Sequence, residues 1–177
     1  MVLRTIYNAE GQDFSCLYVP EPVPISQLRA AMAVADYLAA YWQDRTAEVP
    51  LTALEKEYGS RLLVPERWRE LLSSAGILIP SPISGGDLRQ RFRQAAEAAP
   101  GRCWLLTERL SMAFPLPCPD GQGQPIEKPD TEGFYSEALG CRYVHRPGQV
   151  ILFDTDETLE QKQNWAMEAG FLGWISP

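Results

Sequence analysis

The residues whose types and spacing suggest chemistry lie close to the carboxyl end of the chain. Residues 150–153 are apolar, and the aspartates Asp154 and Asp156 follow them. Two carboxylates at the end of a strand can hold a hard cation such as Mg²⁺, and a carboxylate can act as a nucleophile toward phosphorus. Asp154 and Asp156 are therefore candidate catalytic residues.

The same pattern has a second explanation that involves no catalysis. Acidic residues after a buried strand are typical of a helix start, because an Asp or Thr side chain caps the first turn and the helix dipole favours negative charge there. We expect Asp154 or Thr155 to begin a helix that continues to about Ala169, with Thr158 and Gln161 as a second capping pair. This capping role is the interpretation that we favour for both aspartates.

Residues 150–159 (VILFDTDETL) resemble the first motif of the haloacid dehalogenase superfamily, a hydrophobic strand followed by D-x-D-x-T-L. The resemblance implies that Asp154 is a nucleophile, that Asp156 is a general acid/base and that Mg²⁺ bridges them to a phosphate, with Thr158 at the matching position. The family supplies its remaining groups from elements after this motif, whereas 18 residues follow Leu159. The resemblance therefore implies a magnesium-dependent phosphohydrolase as an alternative function. It does not assign the chain to the family.

Arginines form the second set of candidate residues, for binding an anion or a nucleic acid. Residues 61–102 carry seven arginines and four acidic residues, a local excess of positive charge. A strand, the Gly-Gly loop at 85–86 and an Arg-bearing helix at 87–98 could hold an anion at the helix start, although a solvated helix face explains the same residues. The candidates are Arg67, Arg69, Arg89 and Arg93.

The order of elements around Arg67 and Arg69 indicates how a nucleic acid would be bound. A long helix, a short helix at 51–58, a third helix at 65–75 and a strand at 77–79 are the skeleton of a winged-helix unit, whose third helix enters the major groove. The net charge of −7 opposes binding to phosphates. A winged-helix-like nucleic-acid-binding regulator is therefore an alternative function that the charge disfavours.

A proline-rich stretch supplies the third set of candidate residues. Residues 115–133 contain five prolines, and a connection of this length inside a compact domain is typically functional. The first three, Pro115, Pro117 and Pro119, favour the polyproline II conformation that partner proteins bind in grooves. We therefore expect a partner-binding loop here, while a loop packed on its own domain explains the sequence equally well.

The expected fold is organised around a long helix. Apolar residues recur at steps of three and four over residues 25–42, which predicts an amphipathic helix at about 26–43. The expected fold class is α+β, with a helical layer made of this helix and short helices packed on a mostly antiparallel sheet. Residue patterns predict the other elements as short helices at 51–58, 65–75 and 87–98, and hairpins at 2–19 and 141–153.

The length and composition bound the domain organisation. With 177 residues, 45% of them apolar, the chain is expected to form a single compact domain over residues 1–177. The alternative is a split near residues 80–86, where Pro, Ser and Gly dominate. That split would leave a hairpin plus a winged-helix-like part at 1–79 and an α+β part at 87–177.

The composition also predicts the compartment and the absence of bound groups. No basic segment followed by an apolar run begins the chain, and no apolar stretch approaches the ~18 residues of a membrane span. The four cysteines form no C-x-x-C pair, so no metal site and no cofactor are predicted. We expect a soluble, acidic, cytoplasmic protein that does not interact with membranes.

No complete set of catalytic residues can be identified in the sequence, and this disfavours an enzyme. The expected function is therefore a non-enzymatic protein–protein interaction in the cytoplasm, as a regulatory or adaptor protein. The expected partner is a protein that contacts the proline-rich loop.

Overall fold

In the computed structural model, which describes residues 1–118 and 121–176, the chain is built mostly from β-strands in two sheets. The strands are β1 (Val2–Asn8), β2 (Asp13–Val19), β3 (Tyr37–Ala40), β4 (Leu62–Pro65), β5 (Gly76–Pro80), β6 (Cys103–Leu106), β7 (Ser111–Pro115), β8 (Gln124–Pro125), β9 (Phe134–Ser136), β10 (Cys141–Arg146), β11 (Gln149–Phe153) and β12 (Gly173–Ile175). Within this described part, seven strands close into a barrel in the order β1-β12-β6-β5-β4-β3-β2. The other five form an antiparallel sheet in the order β8-β7-β11-β10-β9.

Most barrel strands run in the same direction. From β2 through β3, β4, β5 and β6 to β12, all neighbours are parallel, and β1 closes the barrel with antiparallel pairing on both sides. Parallel neighbours need crossover connections, and helices outside the barrel supply most of them. The helices are α1 (Ile25–Ala31), α2 (Glu48–Tyr58), α3 (Leu88–Ala98) and α4 (Asp156–Glu168). Among the described residues, no helix has the length and apolar composition needed to cross a membrane.

Alternation along the barrel strands separates an inner core from an outer one, because successive side chains point to opposite faces. The outer core is the larger of the two, and it joins strand residues such as Leu38 and Leu62 to helix residues such as Leu54 and Phe92. The inner core fills the barrel with Ile6, Cys16, Tyr18, Ala39, Leu63, Leu78, Trp104, Leu106 and Ile175.

The second sheet is an insertion in the chain of the barrel. The chain leaves the barrel after β6, builds β7 to β11 and returns through α4 to β12. The predicted boundary at residues 80–86 lies between β5 and α3, both of which belong to the barrel part. The division of the chain into domains stays a prediction.

The predicted fold class is wrong, because the molecule is a closed barrel with a second sheet and short helices. The predicted long helix at 26–43 is the main error. α1 ends at Ala31, a single 3₁₀ turn covers Met32–Val34, and β3 begins at Tyr37. A strand buried between two parallel neighbours reads as a continuous apolar run, and the Leu-Ala-Ala run of β3 therefore matched a helical spacing by chance.

The predicted third helix at 65–75 is also wrong. Pro65 ends strand β4, and a single 3₁₀ turn, Glu66–Trp68, follows it. The apolar residues before Pro65 form a fully buried parallel strand. The recognition helix that the winged-helix interpretation requires is therefore not formed by these residues.

Predictions that rest on local signals are confirmed. β1 and β2 form the expected antiparallel hairpin, with Gly11 at a φ of 80° in its turn. Helix α3 follows Asp87, whose side chain accepts a hydrogen bond from the backbone N–H of Gln90. Helix α4 begins after Thr155, one of the two predicted starts. Thr155 forms a reciprocal capping box with Thr158, in place of the predicted pair of Thr158 with Gln161.

Candidate functional site

Asp154, the candidate nucleophile, is fully buried and its carboxylate is surrounded by donors. The Lys162 ammonium lies 2.8 Å and 2.9 Å from its two oxygens. The backbone N–H of Leu110 and the hydroxyl of Thr158 each donate to it at 2.9 Å. These contacts hold the end of β11 against α4, and they leave no open side of the carboxylate for a substrate.

Asp156, the candidate acid/base, lies in a different environment. Its side chain is 91% exposed and lies 2.6 Å from a guanidinium nitrogen of Arg109. This hydrogen bond, together with the charge of Arg109, lowers the pKa of the Asp156 carboxyl. The two aspartates therefore have separate partners, and no group of three or more potential metal ligands occurs among the described residues.

The candidate arginines divide between two parts of the surface. Arg67 donates to the backbone carbonyl of Gln43, and its guanidinium lies 5.2 Å from the centre of the Trp68 ring. Arg69 forms ion pairs with Glu66 at 3.8 Å and with Glu70 at 3.4 Å. Arg67 and Arg69 are thus held by groups that follow β3 and β4 in the chain.

Arg89 and Arg93 lie together on α3, one turn apart. The Arg89 guanidinium lies 4.2 Å from the centre of the Trp165 ring of α4. A groove of about 270 Å³ between the two helices is lined by Arg89, Arg93, Trp165, Glu168 and Ala169. The structure therefore brings two of the four candidate arginines to one groove, and Glu168 offsets part of their charge there.

The proline-rich stretch begins at the edge of a larger groove. Pro115 ends β7 and is exposed, Pro117 is exposed as well, and Pro119 lies outside the described residues. Leu116, between the first two prolines, is 51% exposed. Its backbone N–H donates to the carbonyl of Gly148 at 2.8 Å, so this part of the stretch is attached to the turn between β10 and β11.

This larger groove, which we call the sheet groove, lies on one face of the second sheet. It has a volume of about 570 Å³. None of its described lining residues is Asp, Glu, Lys or Arg. The lining residues are Ser84, Phe114, Leu116, Cys118, Gly121, Ser136, Leu139, Tyr143, His145, Val150 and Leu152.

Strand register explains why the sheet groove is apolar. Tyr143 pairs with Leu152 across β10 and β11, and Val150 pairs with Phe114 across β11 and β7, so all four share one face. Phe134 of β9 pairs with Tyr143, and their ring centres lie 5.7 Å apart. Phe134 is 66% exposed beside the groove.

Sequence reasoning identified the prolines at this surface and missed the sheet face beside them. The available signal was alternation, since Tyr143 and His145 in β10 and Val150 and Leu152 in β11 occupy every second position. Alternation of this kind places side chains on one face of a sheet.

Comparisons with models of protein families, with curated proteins and with solved structures found no match. The geometry of the chain's own residues therefore carries the functional argument.

Proposed function

We propose that this protein binds an extended, apolar segment of a partner protein in the sheet groove, and that it acts through this contact as a regulatory or adaptor protein. The observation that carries the proposal is the concave apolar groove of about 570 Å³, with Leu116 exposed in its lining and Phe134 exposed beside it. Apolar surface that a protein leaves open in this way is typical of interaction sites.

The lining of the groove defines the chemistry of the partner segment. Its described residues are mostly aliphatic and aromatic and include no carboxylate, ammonium or guanidinium group. A charged side chain would lose its hydration there without gaining an opposite charge, which is unfavourable. The partner segment therefore carries apolar, uncharged side chains toward the groove.

The edge strand beside the groove favours an extended partner. β9 stands at one edge of the second sheet, and Phe134 and Ser136 lie on the groove face. An extended peptide can add to such an edge through backbone hydrogen bonds while alternate side chains enter the groove. The opposite edge, β8, is two residues long and contains Pro125, which blunts it against pairing.

The two exposed apolar side chains alone do not provide tight binding. Burial of Leu116 and Phe134 contributes up to about 1.5–3 kcal/mol for each side chain. The partner loses translational and rotational freedom at a cost of about 4–15 kcal/mol. Binding therefore requires further apolar contacts between the partner and the groove lining, and we expect a dissociation constant no tighter than about micromolar.

The direct experiment is selection of peptides from a random display library on the purified protein, followed by calorimetric titration of the enriched sequences. Enriched peptides should carry apolar residues at alternate positions. Leu116→Asp should weaken their binding at least about tenfold, because it places a charge in the lining of the apolar groove. The matched control is Leu71→Asp, since Leu71 is 46% exposed and does not line the groove. The proposal fails if no peptide is enriched, or if both variants bind the enriched peptides as the natural sequence does.

A further inference from the structure

Four side chains lie at one end of the barrel, and none of them lines the sheet groove. They are Arg4, Tyr18, Tyr41 and Glu108, and we call this set the barrel mouth. Arg4 donates to the backbone carbonyl of Ser176 at 3.4 Å, and the backbone N–H of Thr107 donates to the backbone carbonyl of Ile175 at 3.2 Å. These two bonds bring Arg4 and Glu108 to neighbouring positions beside the end of β12. Tyr18 is the second-last residue of β2, Tyr41 directly follows β3, and Glu108 lies two residues beyond the end of β6. In α/β barrels, ligands bind at the carboxyl ends of the parallel strands, which is the end where these side chains lie.

The barrel mouth is the last layer of the barrel interior. Tyr18, Tyr41 and Glu108 each lie two positions after a residue of the inner core, namely Cys16, Ala39 and Leu106. Within a strand this spacing keeps side chains on one face. Tyr18 itself belongs to the inner core, and Tyr41, just beyond the end of β3, packs against that core.

Arg4 joins the same layer from the antiparallel strand. It lies two positions before Ile6 of the inner core, and it pairs with Cys16 across β1 and β2. Because β1 runs opposite to β2, the beginning of β1 lies beside the carboxyl end of β2. A cation on β1 is thereby brought to the end of the barrel where Glu108 lies.

Aromatic stacking and hydrogen bonds hold the members of the barrel mouth in position. The Arg4 guanidinium lies 4.1 Å from the centre of the Tyr18 ring, and Tyr18 stacks on Tyr41 with ring centres 6.2 Å apart. The backbone N–H of Glu108 donates to the Ser81 hydroxyl, which in turn donates to the backbone carbonyl of Glu108, both at 3.0 Å. The main chain that carries the Glu108 carboxylate is therefore anchored.

The carboxylate of Glu108 itself forms no hydrogen bond and no ion pair within 4 Å in the described part of the chain. Burial raises its pKa, and the charge of Arg4 opposes that shift without cancelling it. Burial also raises the pKa of Tyr18 and of Tyr41, and the negative charge of Glu108 adds to both shifts. A partly buried carboxylate without a bonded partner is unfavourable for folding, and such groups are typical of binding sites.

We infer that the barrel mouth binds a small zwitterion that carries one carboxylate and one ammonium group. One guanidinium nitrogen of Arg4 donates to the carbonyl of Ser176, and the remaining N–H groups can donate in parallel to the two oxygens of a carboxylate. The carboxylate of Glu108 accepts hydrogen bonds from the ammonium group, and the faces of the tyrosine rings attract the same cation. The ligand thus completes two charges that the protein brings near each other without pairing them.

A ligand with a single charge fits this arrangement less well. An anion alone would pair with Arg4 and increase the repulsion on Glu108. A cation alone would pair with Glu108 and repel Arg4. Only a molecule with both charges compensates both side chains, and the distance between its charges must match the distance between theirs.

Calorimetric titration with glycine, β-alanine, γ-aminobutyrate and ε-aminocaproate tests the inference, because these molecules differ mainly in the separation of the same two groups. Acetate and methylammonium are the single-charge controls. At millimolar concentrations we expect binding to peak at one chain length and to exceed that of either control.

Variants identify the side chains responsible. Glu108→Gln should weaken the best zwitterion at least about tenfold and leave acetate unchanged or improved, because it removes only the partner of the ammonium group. Arg4→Gln should weaken both the zwitterion and acetate. Glu127→Gln, at an exposed position in the loop after β8, is the matched control. The inference is overturned if no zwitterion of the series binds more tightly than the single-charge controls, or if Glu108→Gln binds the best one as the natural sequence does. If Arg4→Gln does not fold, the Glu108→Gln comparison alone decides.

Discussion

The ammonium group of Lys162 lies 2.8 Å and 2.9 Å from the two carboxylate oxygens of Asp154, and both side chains are fully buried. The pair joins α4 of the barrel part to the end of β11 in the second sheet. It gives Asp154 a structural role, because it holds α4 against the end of β11, while a catalytic role of this residue stays an untested prediction.

The first prediction concerns this buried pair. Lys162→Met should lower the free energy of unfolding by about 3–5 kcal/mol, because it leaves the Asp154 carboxylate buried without a counter-ion. The double variant Lys162→Met with Asp154→Leu should recover most of that loss, since it removes both charges. Denaturant unfolding of the three proteins measures the effect. The exposed Arg29–Glu57 pair is the control, and Arg29→Met should change stability far less. Equal effects of Lys162→Met and Arg29→Met would contradict the structural role.

The second prediction is a pH dependence of stability that originates at Glu108. Because burial raises the pKa of this carboxyl in the folded state, the folded protein holds the proton more tightly than the unfolded chain. The stability that the protonated Glu108 carboxyl contributes is fully present below its unfolded pKa of about 4.3. It is lost as the pH rises through its pKa in the folded protein. The difference in the free energy of unfolding between Glu108→Gln and the natural sequence should therefore shift in favour of the variant as the pH rises from about 4 to about 7. Urea unfolding of both proteins at the two pH values measures this difference. A difference that does not change with pH would refute Glu108 as the origin of the pH dependence.

The third prediction concerns closure of the barrel. A Cβ added at Gly173 would overlap the backbone carbonyl oxygen of Tyr7 and lie 2.7 Å from the Trp104 ring, so β12 could not approach β1. Gly173→Ala should lower the free energy of unfolding by at least about 2 kcal/mol. The control is Gly85→Ala, because a Cβ there meets no atom within 4 Å. Thermal unfolding distinguishes the two variants, and similar melting temperatures would contradict this packing.

The fourth prediction uses two neighbours on the edge strand β9. Phe134 and Tyr135 are 66% and 42% exposed and lie on opposite faces of the sheet. Phe134→Ser should weaken binding of a groove peptide at least about tenfold, whereas Tyr135→Ser should leave it nearly unchanged. Both variants should retain the stability of the natural sequence, because neither side chain is buried. A larger loss of affinity for Tyr135→Ser would mean that the partner approaches the other face.

The sequence predicted those elements that local residues determine. Gly11 marked the first hairpin, Asp87 marked the start of α3, and Asp154 or Thr155 marked the start of α4. Each signal acts within about four residues, through a turn conformation or a capping hydrogen bond. These elements formed where they were predicted.

The barrel escaped prediction because its decisive contacts are distant in sequence. β3 and β4 are short apolar strands buried on both sides, and their periodicity does not distinguish them from helix segments. Closure depends on pairing of Ile6 with Ile175, at opposite ends of the chain. No local pattern encodes such a pair.

The candidate sites also divide into those that local sequence indicates and those that depend on contacts distant in sequence. The proline-rich stretch at the sheet groove was visible in the composition, and alternation in β10 and β11 would have indicated the apolar face. The barrel mouth combines Arg4, Tyr18, Tyr41 and Glu108, which carry no motif and meet only through the strand order. Asp154 and Asp156 carried the clearest motif, yet they have separate partners.

The central proposal, that the sheet groove binds a partner segment, is tested most directly by mapping where a display-selected peptide contacts the protein. Nuclear magnetic resonance of the labelled protein would record which backbone amide signals shift as the peptide is added. The proposal predicts the largest shifts in β9 to β11, at residues such as Phe134, Tyr143 and Leu152, and little change in α3. Shifts concentrated at Arg89 and Arg93 on α3, with the groove residues unaffected, would contradict it.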